Sequence, residues 1–142
     1  MEKLRITLIK TKTDYAQAIV IRYKVFVLEQ KVPAELEIEH EDNCAHFLAA
    51  QDKTPVGCAR VRKVGKKLKL ERLAILKEHR GKGYGKEIVL ELVNYCRRKK
   101  PEEIYMNAQY YLLDFYKALG FVQKGKKFEE AGIEHIKMVL NT

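Results

Sequence analysis

The sequence has no tryptophan, only three prolines and only three cysteines among its 142 residues. With few prolines and 46% hydrophobic residues, it does not have the composition of a disordered chain. The cysteines, Cys44, Cys58 and Cys96, are odd in number and widely spaced, and no Cys-x-x-Cys pair is present. They indicate reduced thiols in a reducing compartment rather than a disulfide framework.

Long apolar runs are also missing. The first residues, "MEKLRITLIKTKTD", contain no sustained apolar segment, and nowhere do about 18 uncharged apolar residues follow one another. We therefore expect a cytoplasmic protein with no membrane partner. The length suits a single domain, residues 1–142, with one mixed core that needs no disulfide or metal.

Charge is uneven along the chain. The formal net charge is +9, from 28 basic and 19 acidic residues, which suits either a polyanionic partner or simple solubility. A local acidic segment would instead repel nucleic acid and attract a cationic substrate, although a solvated loop has the same composition. Nucleic acid is not an expected partner, because helix-turn-helix and interleaved-aromatic patterns are missing. The acidic residues are Glu35, Glu37, Glu39, Glu41 and Asp42.

The pattern along the chain predicts an α/β domain. A strand "LRITLIK" precedes a helix capped by Asp14, with Gln17 three residues later. "HFLAAQ" and "PVGCARVRKV" form a predicted hairpin, and "KLKLERLAIL" changes from alternating to continuously apolar, which suggests a bulge or a strand buried on both faces. A long helix to about Lys99, the strand "EIYMNAQ", a short helix "LLDFYKALGF" closed by Gly120, and strands near 121–124 and 135–140 complete the order.

The segment "KEHRGKGYGKEI" carries glycines at alternate positions, Gly81, Gly83 and Gly85. Basic residues surround them, and an apolar run of helical spacing starts at Ile88. Glycine lets the backbone turn its N–H groups towards a ligand. Together with the positive end of a helix dipole, these N–H groups form a site for an anion such as pyrophosphate.

Two common phosphate loops are excluded by specific residues. A Walker loop needs Ser or Thr after its lysine, but Glu87 follows Lys86. A dinucleotide fingerprint that starts at Gly81 needs a third glycine where Lys86 stands, and "IYMNAQ" ends without an acidic residue for a ribose.

The remaining pattern, Arg80-x-x-Gly83-x-Gly85 between a hydrophobic strand and a helix, resembles the acetyl-CoA loop of the GNAT N-acetyltransferase superfamily. "NAQYYLLDFYKALGF" resembles a later block of that family, and "IRYKVFVLEQKVP" and "EEAGIEHIKM" resemble a subgroup of small bacterial members. The resemblance implies the GNAT α/β fold, a mixed central sheet with helices on both faces. It also implies acetyl-CoA as cofactor, CoA as product and acyltransferase activity.

The resemblance assigns cofactor contacts residue by residue. The loop would hold pyrophosphate, while the strand before it would pair with pantetheine and polarise the thioester carbonyl. Asn107 would bind a pantetheine amide, or cap the sheet. The implied cofactor-binding residues are Leu73, Ala74, Ile75, Arg80, Gly81, Lys82, Gly83, Tyr84, Gly85, Lys86, Asn107 and Phe115.

The catalytic assignments are fewer. Tyr116 matches the family tyrosine that protonates the departing thiolate. Glu71 is the first candidate base, or else it pairs with Arg72 or a neighbouring lysine. His135 is a second possible base or substrate contact, or a hydrogen-bonded strand residue. Glu37 and Glu39 are candidate contacts for a cationic acceptor. No metal is expected, because His40, Cys44 and His46 match no zinc spacing and lack a fourth ligand.

These features predict an N-acetyltransferase that moves acetyl from acetyl-CoA to the primary amine of a small molecule, by direct attack. One alternative is a non-catalytic CoA-binding regulator with the same fold. A basic nucleic-acid-binding module is a weaker alternative. The sequence leaves open a protein acceptor and a homodimer.

Overall fold

The computed structural model describes residues 4–140. Within them the chain forms a seven-stranded sheet with the order β1-β2-β3-β4-β5-β7-β6. Neighbouring strands are antiparallel except β4 and β5, which are parallel. The strands are β1 (Leu4–Leu8), β2 (Cys44–Gln51), β3 (Thr54–Val64), β4 (Lys67–Ile75), β5 (Glu103–Gln109), β6 (Phe121–Glu130) and β7 (Ile133–Leu140). The mixed sheet that the sequence predicts is confirmed.

Four α-helices accompany the sheet in the described range 4–140. They are α1 (Lys12–Arg22), α2 (Ala34–Glu37), α3 (Tyr84–Arg98) and α4 (Leu113–Ala118). A π-helical segment, Tyr23–Glu29, continues α1 directly. The N-cap of α1 is Thr11, whose hydroxyl accepts a hydrogen bond from the N–H of Asp14 at 3.1 Å. The prediction of Asp14 as the cap is wrong, because Thr11 lies one turn earlier in the capping position.

Helices cover both faces of the sheet. On one face α3 buries the apolar stripe that its helical spacing predicts, from Ile88 to Cys96, against β1, β3 and β4. On the other face α1 and the π-helical segment bury Ile21 and Phe26 against Leu48 of β2. Neighbouring residues of β2 therefore belong to two different hydrophobic cores, one on each face of the sheet. This confirms the prediction of helices on both faces. In the described part of the chain, no helix is long and apolar enough to cross a membrane.

Strands β4 and β5 pair at one end and separate at the other. Their parallel register runs from Lys67 opposite Glu103 to Leu70 opposite Met106. Just beyond, Arg72 has a φ of 56°, in the left-handed region, and the β3–β4 register shifts. The change of pattern along "KLKLERLAIL" therefore marks a bulge, as predicted.

Beyond the bulge β4 stays against β3. Gly57 of β3 pairs with Ile75, and Cys58 with Ala74. A Cβ built on Gly57 would lie 2.8 Å from the carbonyl oxygen of Ala74, so only glycine permits this approach. The second half of β4 thus turns from β5 towards β3 and opens a cleft in the sheet.

Candidate active site

The cleft between β4 and β5 is a cavity of about 450 Å³. Its walls come from both separated strands, from the π-helical segment and from α3 and α4. Of the predicted cofactor-binding residues, Leu73, Ala74, Ile75, Arg80, Gly85, Asn107 and Phe115 line it, and so do the predicted catalytic residues Tyr116, Glu71 and His135. Residues distant in sequence therefore meet where the sheet splits.

The strand segment from Leu73 to Ile75 has one free side. On the β3 side, Ala74 and Ile75 are paired. On the β5 side, the strand pairing described for residues 4–140 ends at Leu70. An extended ligand with amide groups fits this position, because it can pair with the strand as an additional partner.

The glycine loop stands at the N-terminus of α3. Gly81 and Gly83 have φ values of 80° and 82°, and Gly83 is the N-cap of the helix. A Cβ on either glycine would meet nothing within 4 Å, so backbone conformation rather than space requires glycine here. The loop therefore presents the unpaired N–H groups of the first helical turn to solvent, a suitable arrangement for a phosphate group.

The basic side chains of the loop have different surroundings. Arg80 donates through Nε to the carbonyl of Ile75 at 2.9 Å and through Nη1 and Nη2 to the carboxylate of Glu29 at 2.6 and 2.8 Å. Lys82 and Lys86 are exposed. Tyr84 is 8% exposed and belongs to the core under α3, so its side chain is not a surface available to a cofactor. Only the backbone of Tyr84 suits the predicted role.

Tyr116, on α4, is 5% exposed and packs edge-on against Phe115 and Phe121, with ring centroids 5.0 and 6.2 Å away. Burial raises the pKa of its hydroxyl, so the phenol stays protonated throughout the neutral range. The Cζ atom of Phe115 would lie 3.5 Å from a Cβ on Gly85, so α4 packs against the first turn of α3. This packing fixes the protonated tyrosine in the wall of the cavity.

Glu71 is not suited to act as a base. Its carboxylate lies 2.9 Å from Nζ of Lys69, 2.9 Å from Arg60 and 3.2 Å from Arg62. Burial alone would raise its pKa, but the hydrogen bond from Lys69 and the neighbouring positive charges bring the pKa to about 2. The structure therefore favours the predicted alternative, an ion pair with a neighbouring lysine, over the predicted base.

His135, on β7, is 7% exposed and lies where the main cavity meets a smaller one of about 210 Å³. Its Nδ1 is 2.7 Å from the carbonyl oxygen of Ile133, which accepts a hydrogen bond. Nδ1 must therefore carry a proton, which leaves Nε2 as the basic nitrogen of the neutral ring. Nε2 is 3.8 Å from Glu130.

The two acidic residues predicted to meet a cationic acceptor both line the smaller cavity. Glu39 is exposed, but Glu37 is buried, and its carboxylate lies 2.6 Å from Arg22 and 3.4 Å from Arg72. Neighbouring arginines already neutralise Glu37, so it does not offer a free negative charge to a substrate. Within the acidic segment, Glu37 and Glu41 form ion pairs with Arg22, whereas Glu35, Glu39 and Asp42 are exposed.

Several lining residues are not among the site residues that the sequence predicts. Gln109 of β5 donates to Gln30, just after the π-helical segment, at 2.9 Å and so connects the two walls across 79 residues of sequence. Val25 and Phe26 also line the cavity, although their apolar spacing predicts only core packing. Arg72 lines both cavities. Only its unusual φ, which the sequence does not reveal, distinguishes it from other strand arginines.

Residues 11–142 match the model of the acetyltransferase (GNAT) domain family. The chain is 35% identical to YjcF of Bacillus subtilis, described as an uncharacterized N-acetyltransferase, over 138 residues that cover 96% of this chain and 99% of YjcF. Both comparisons cover nearly the whole described range.

Two solved structures share the fold. The crystal structure of Escherichia coli ElaA has a TM-score of 0.86 and 24% identity, and covers 99% of this chain and 100% of ElaA. A GNAT family acetyltransferase from Elizabethkingia anophelis, solved with acetyl-CoA bound, has a TM-score of 0.71 and 16% identity, and covers 96% of this chain and 94% of that protein.

Proposed function

Because the chain belongs to the GNAT acetyltransferase family, we propose that it transfers the acetyl group of acetyl-CoA to the primary amine of a small molecule. The observation that carries this proposal is the cleft between β4 and β5, in which a free strand side, a helix N-terminus and a protonated tyrosine line one cavity. A helix N-terminus alone can bind many different anions. The three features together suit a ligand that has a thioester at one end and a pyrophosphate at the other.

Acetyl-CoA is the cosubstrate. The residues present fit it, because Gly81 and Gly83 have positive φ in the loop before α3 and β4 has no β5 partner beyond Leu70. The backbone from Gly81 to Gly85 would hold the pyrophosphate, and the free side of Leu73, Ala74 and Ile75 would pair with the pantetheine arm. The bound thioester supplies an activated acetyl group. A backbone N–H in the 73–75 segment would donate to the carbonyl oxygen and stabilise negative charge there.

Tyr116 provides the proton for the leaving sulfur. Its buried hydroxyl is protonated at neutral pH and lies in the wall of the cavity that holds the thioester. As the carbon–sulfur bond breaks, the phenolic proton passes to the thiolate, which otherwise is a poor leaving group in a site with little water.

His135 receives the proton that the amine loses. Nε2 is the basic nitrogen, because Nδ1 donates to Ile133, and the residue lies between the two cavities. An amine that enters from the smaller cavity would pass His135, which lines both cavities, on its way to the thioester. Attack is direct, since Cys58 is buried on the α1 face and burial raises its pKa to about 12, which makes it a poor nucleophile.

The proposal is tested by mixing the protein with acetyl-CoA and a pool of small primary amines while free thiol is followed. Thiol release that depends on the amines supports an N-acetyltransferase. Binding of acetyl-CoA without thiol release favours the non-catalytic regulator. A second pool of lysine-containing peptides, offered separately, distinguishes a protein acceptor from a small molecule.

A further inference from the structure

A group of buried charges lies beside the two cavities, and three of its members, Lys69, Glu71 and Arg72, line both. Within residues 4–140 this charge cluster joins five cationic side chains to three carboxylates through ion pairs, so it holds two surplus positive charges. His46, 3.7 Å from Glu41, contributes no negative charge. The cations are Arg22, Arg60, Arg62, Lys69 and Arg72, and the carboxylates are Glu37, Glu41 and Glu71.

Each carboxylate of the charge cluster is shared. Glu71 contacts three cations between 2.9 and 3.2 Å, and Glu41 contacts both Arg22 and Arg60. Glu37 lies 2.6 Å from Arg22 but 3.4 Å from Arg72. Positive charge without an equal negative partner is unfavourable in a region with little water. The cluster would therefore be stabilised by a bound anion.

The surplus charge is accessible from the smaller cavity, and Lys69 and Arg72 line the main cavity as well. Arg22 and Arg60 have side chains that are 2% and 1% exposed, whereas those of Arg62, Lys69 and Arg72 are 18%, 11% and 23% exposed. These three residues line the smaller cavity together. An anion that enters it meets three cationic groups in one wall.

Arg72 has an unusual backbone conformation and a side chain fixed by two hydrogen bonds. Its φ of 56° is costly for a residue with a side chain, on the order of 1–3 kcal/mol. Its guanidinium is held by the carbonyls of Glu37 and Leu36 at 3.1 and 3.0 Å. Burial lowers the pKa of Arg72, and the nearby charge of Arg60 acts in the same direction, so its own surroundings do not fully stabilise the cation.

We propose that the acceptor amine carries a carboxylate, which Arg62, Lys69 and Arg72 bind while its nitrogen points towards the main cavity. This inference rests on the proposed function. Arg72 directly precedes Leu73, at the start of the strand segment assigned to the thioester, so only a few bonds separate the carboxylate from the nitrogen. Arginine suits the task because its planar fork matches a carboxylate. Glu39 and Glu130 also line the smaller cavity, but they are exposed to water and salt, which screen their charges.

The test compares amines that differ only in this charge. Glycine, β-alanine and 4-aminobutanoate are each offered with acetyl-CoA beside their amides, glycinamide, β-alaninamide and 4-aminobutanamide, and thiol release is followed. We expect kcat/KM to be about tenfold or more higher for at least one acid than for its amide. Equal or better rates with all the amides would overturn the inference and leave the proposed function standing.

Variants link the preference to the charge cluster. Arg62→Gln and Arg72→Gln should lower kcat/KM for the acid much more than for its amide, mainly through KM, and so remove the preference for the acid. Arg5→Gln, on the exposed side of β1, removes the same charge elsewhere and should keep the preference. If Arg72→Gln does not fold, Arg62→Gln alone tests the carboxylate site. Among the described residues, the Arg62 side chain makes no contact with α2 like those of Arg72 with the carbonyls of Leu36 and Glu37. A preference that persists in Arg62→Gln would contradict the assigned residues.

If neither acids nor amides release thiol, the proposed function fails for these amines. Calorimetric titration of β-alanine and β-alaninamide into the CoA-saturated protein then tests the inference by itself. Binding of the acid alone, lost in Arg62→Gln, supports a carboxylate site. Equal binding, or no binding of either compound, contradicts it.

Discussion

Arg80 of the glycine loop and Glu29 of the π-helical segment form a two-point ion pair, with Nη1 and Nη2 at 2.6 and 2.8 Å from the carboxylate oxygens. The pair joins residues 51 positions apart in the sequence, and Arg80 lines the main cavity. It also neutralises the arginine that the family pattern assigns to pyrophosphate. Glu29 therefore competes with a bound phosphate for the same guanidinium.

Glu29→Gln should tighten acetyl-CoA binding by a few fold. The substitution removes a negative charge near the pyrophosphate site, and both partners are 37–40% exposed, so the effect is limited to that of a surface ion pair, up to about 1 kcal/mol. Calorimetric titration measures the change. Glu102→Gln, exposed and remote from the loop, serves as the control. Weaker binding in Glu29→Gln would mean that Glu29 positions Arg80 instead of competing for it.

Gly83→Ala should weaken acetyl-CoA binding about tenfold. A side chain at a φ of 82° costs on the order of 1–2 kcal/mol, and relief of that strain would turn the N–H groups of the loop away from the phosphate. Gly125→Ala has a similar φ of 85° but lies in β6, so it should lose stability and keep its affinity. Equal loss of affinity in both variants would contradict the loop assignment.

Tyr116→Phe should lower kcat by about 10² to 10⁴ while the affinity for acetyl-CoA changes little, because the proton for sulfur is lost and the packing is kept. The rate of thiol release at saturating amine and acetyl-CoA gives kcat. Tyr95→Phe is the matched variant, since Tyr95 packs against Phe47 with ring centroids 5.1 Å apart and does not line the cavity. An unchanged kcat in Tyr116→Phe would remove Tyr116 from the mechanism.

His135→Gln should lower kcat by about 10² to 10⁴, because the group that takes the proton from the attacking amine is gone. Assays of thiol release at saturating amine measure kcat. An unchanged kcat in His135→Gln would assign the base to another group.

Glu71 should contribute to the free energy of unfolding, and its contribution should depend on pH. Its pKa in the folded protein, about 2, is below the ordinary value of 4.5, so its contribution is complete above pH 4.5 and is lost as pH falls towards 2. Glu71→Gln should therefore lower the free energy of unfolding at pH 7 by about 3–5 kcal/mol, the usual cost of breaking a buried ion pair. Urea unfolding at pH 7 and pH 3 measures the difference, which should shrink at the lower pH. A difference that does not depend on pH would contradict this account.

The sequence predicts those parts of the site that are local. The alternate glycines before Ile88, the apolar stripe of α3 and the Tyr116 block are each contained in a short segment, so spacing alone locates them. The loss of pairing after Leu70 is also visible, as a change of pattern along β4.

The charge cluster could not be predicted in the same way. Arg22, Glu37 and Glu71 come from three separate elements, and the sequence does not show which charges meet in the interior. As a result, the sequence suggests an acidic site at Glu37, whereas in the folded chain two arginines neutralise that carboxylate. The local cap signal at Asp14 similarly failed because Thr11 supplies an equivalent one.

The central claim is that the cleft between β4 and β5 binds acetyl-CoA. The most direct measurement is a calorimetric titration of acetyl-CoA into the wild-type protein, with Gly83→Ala titrated beside it. The account predicts saturable binding at one site per chain, weakened about tenfold in Gly83→Ala. No binding to the folded wild-type protein, or equal affinity in the two proteins, would contradict it.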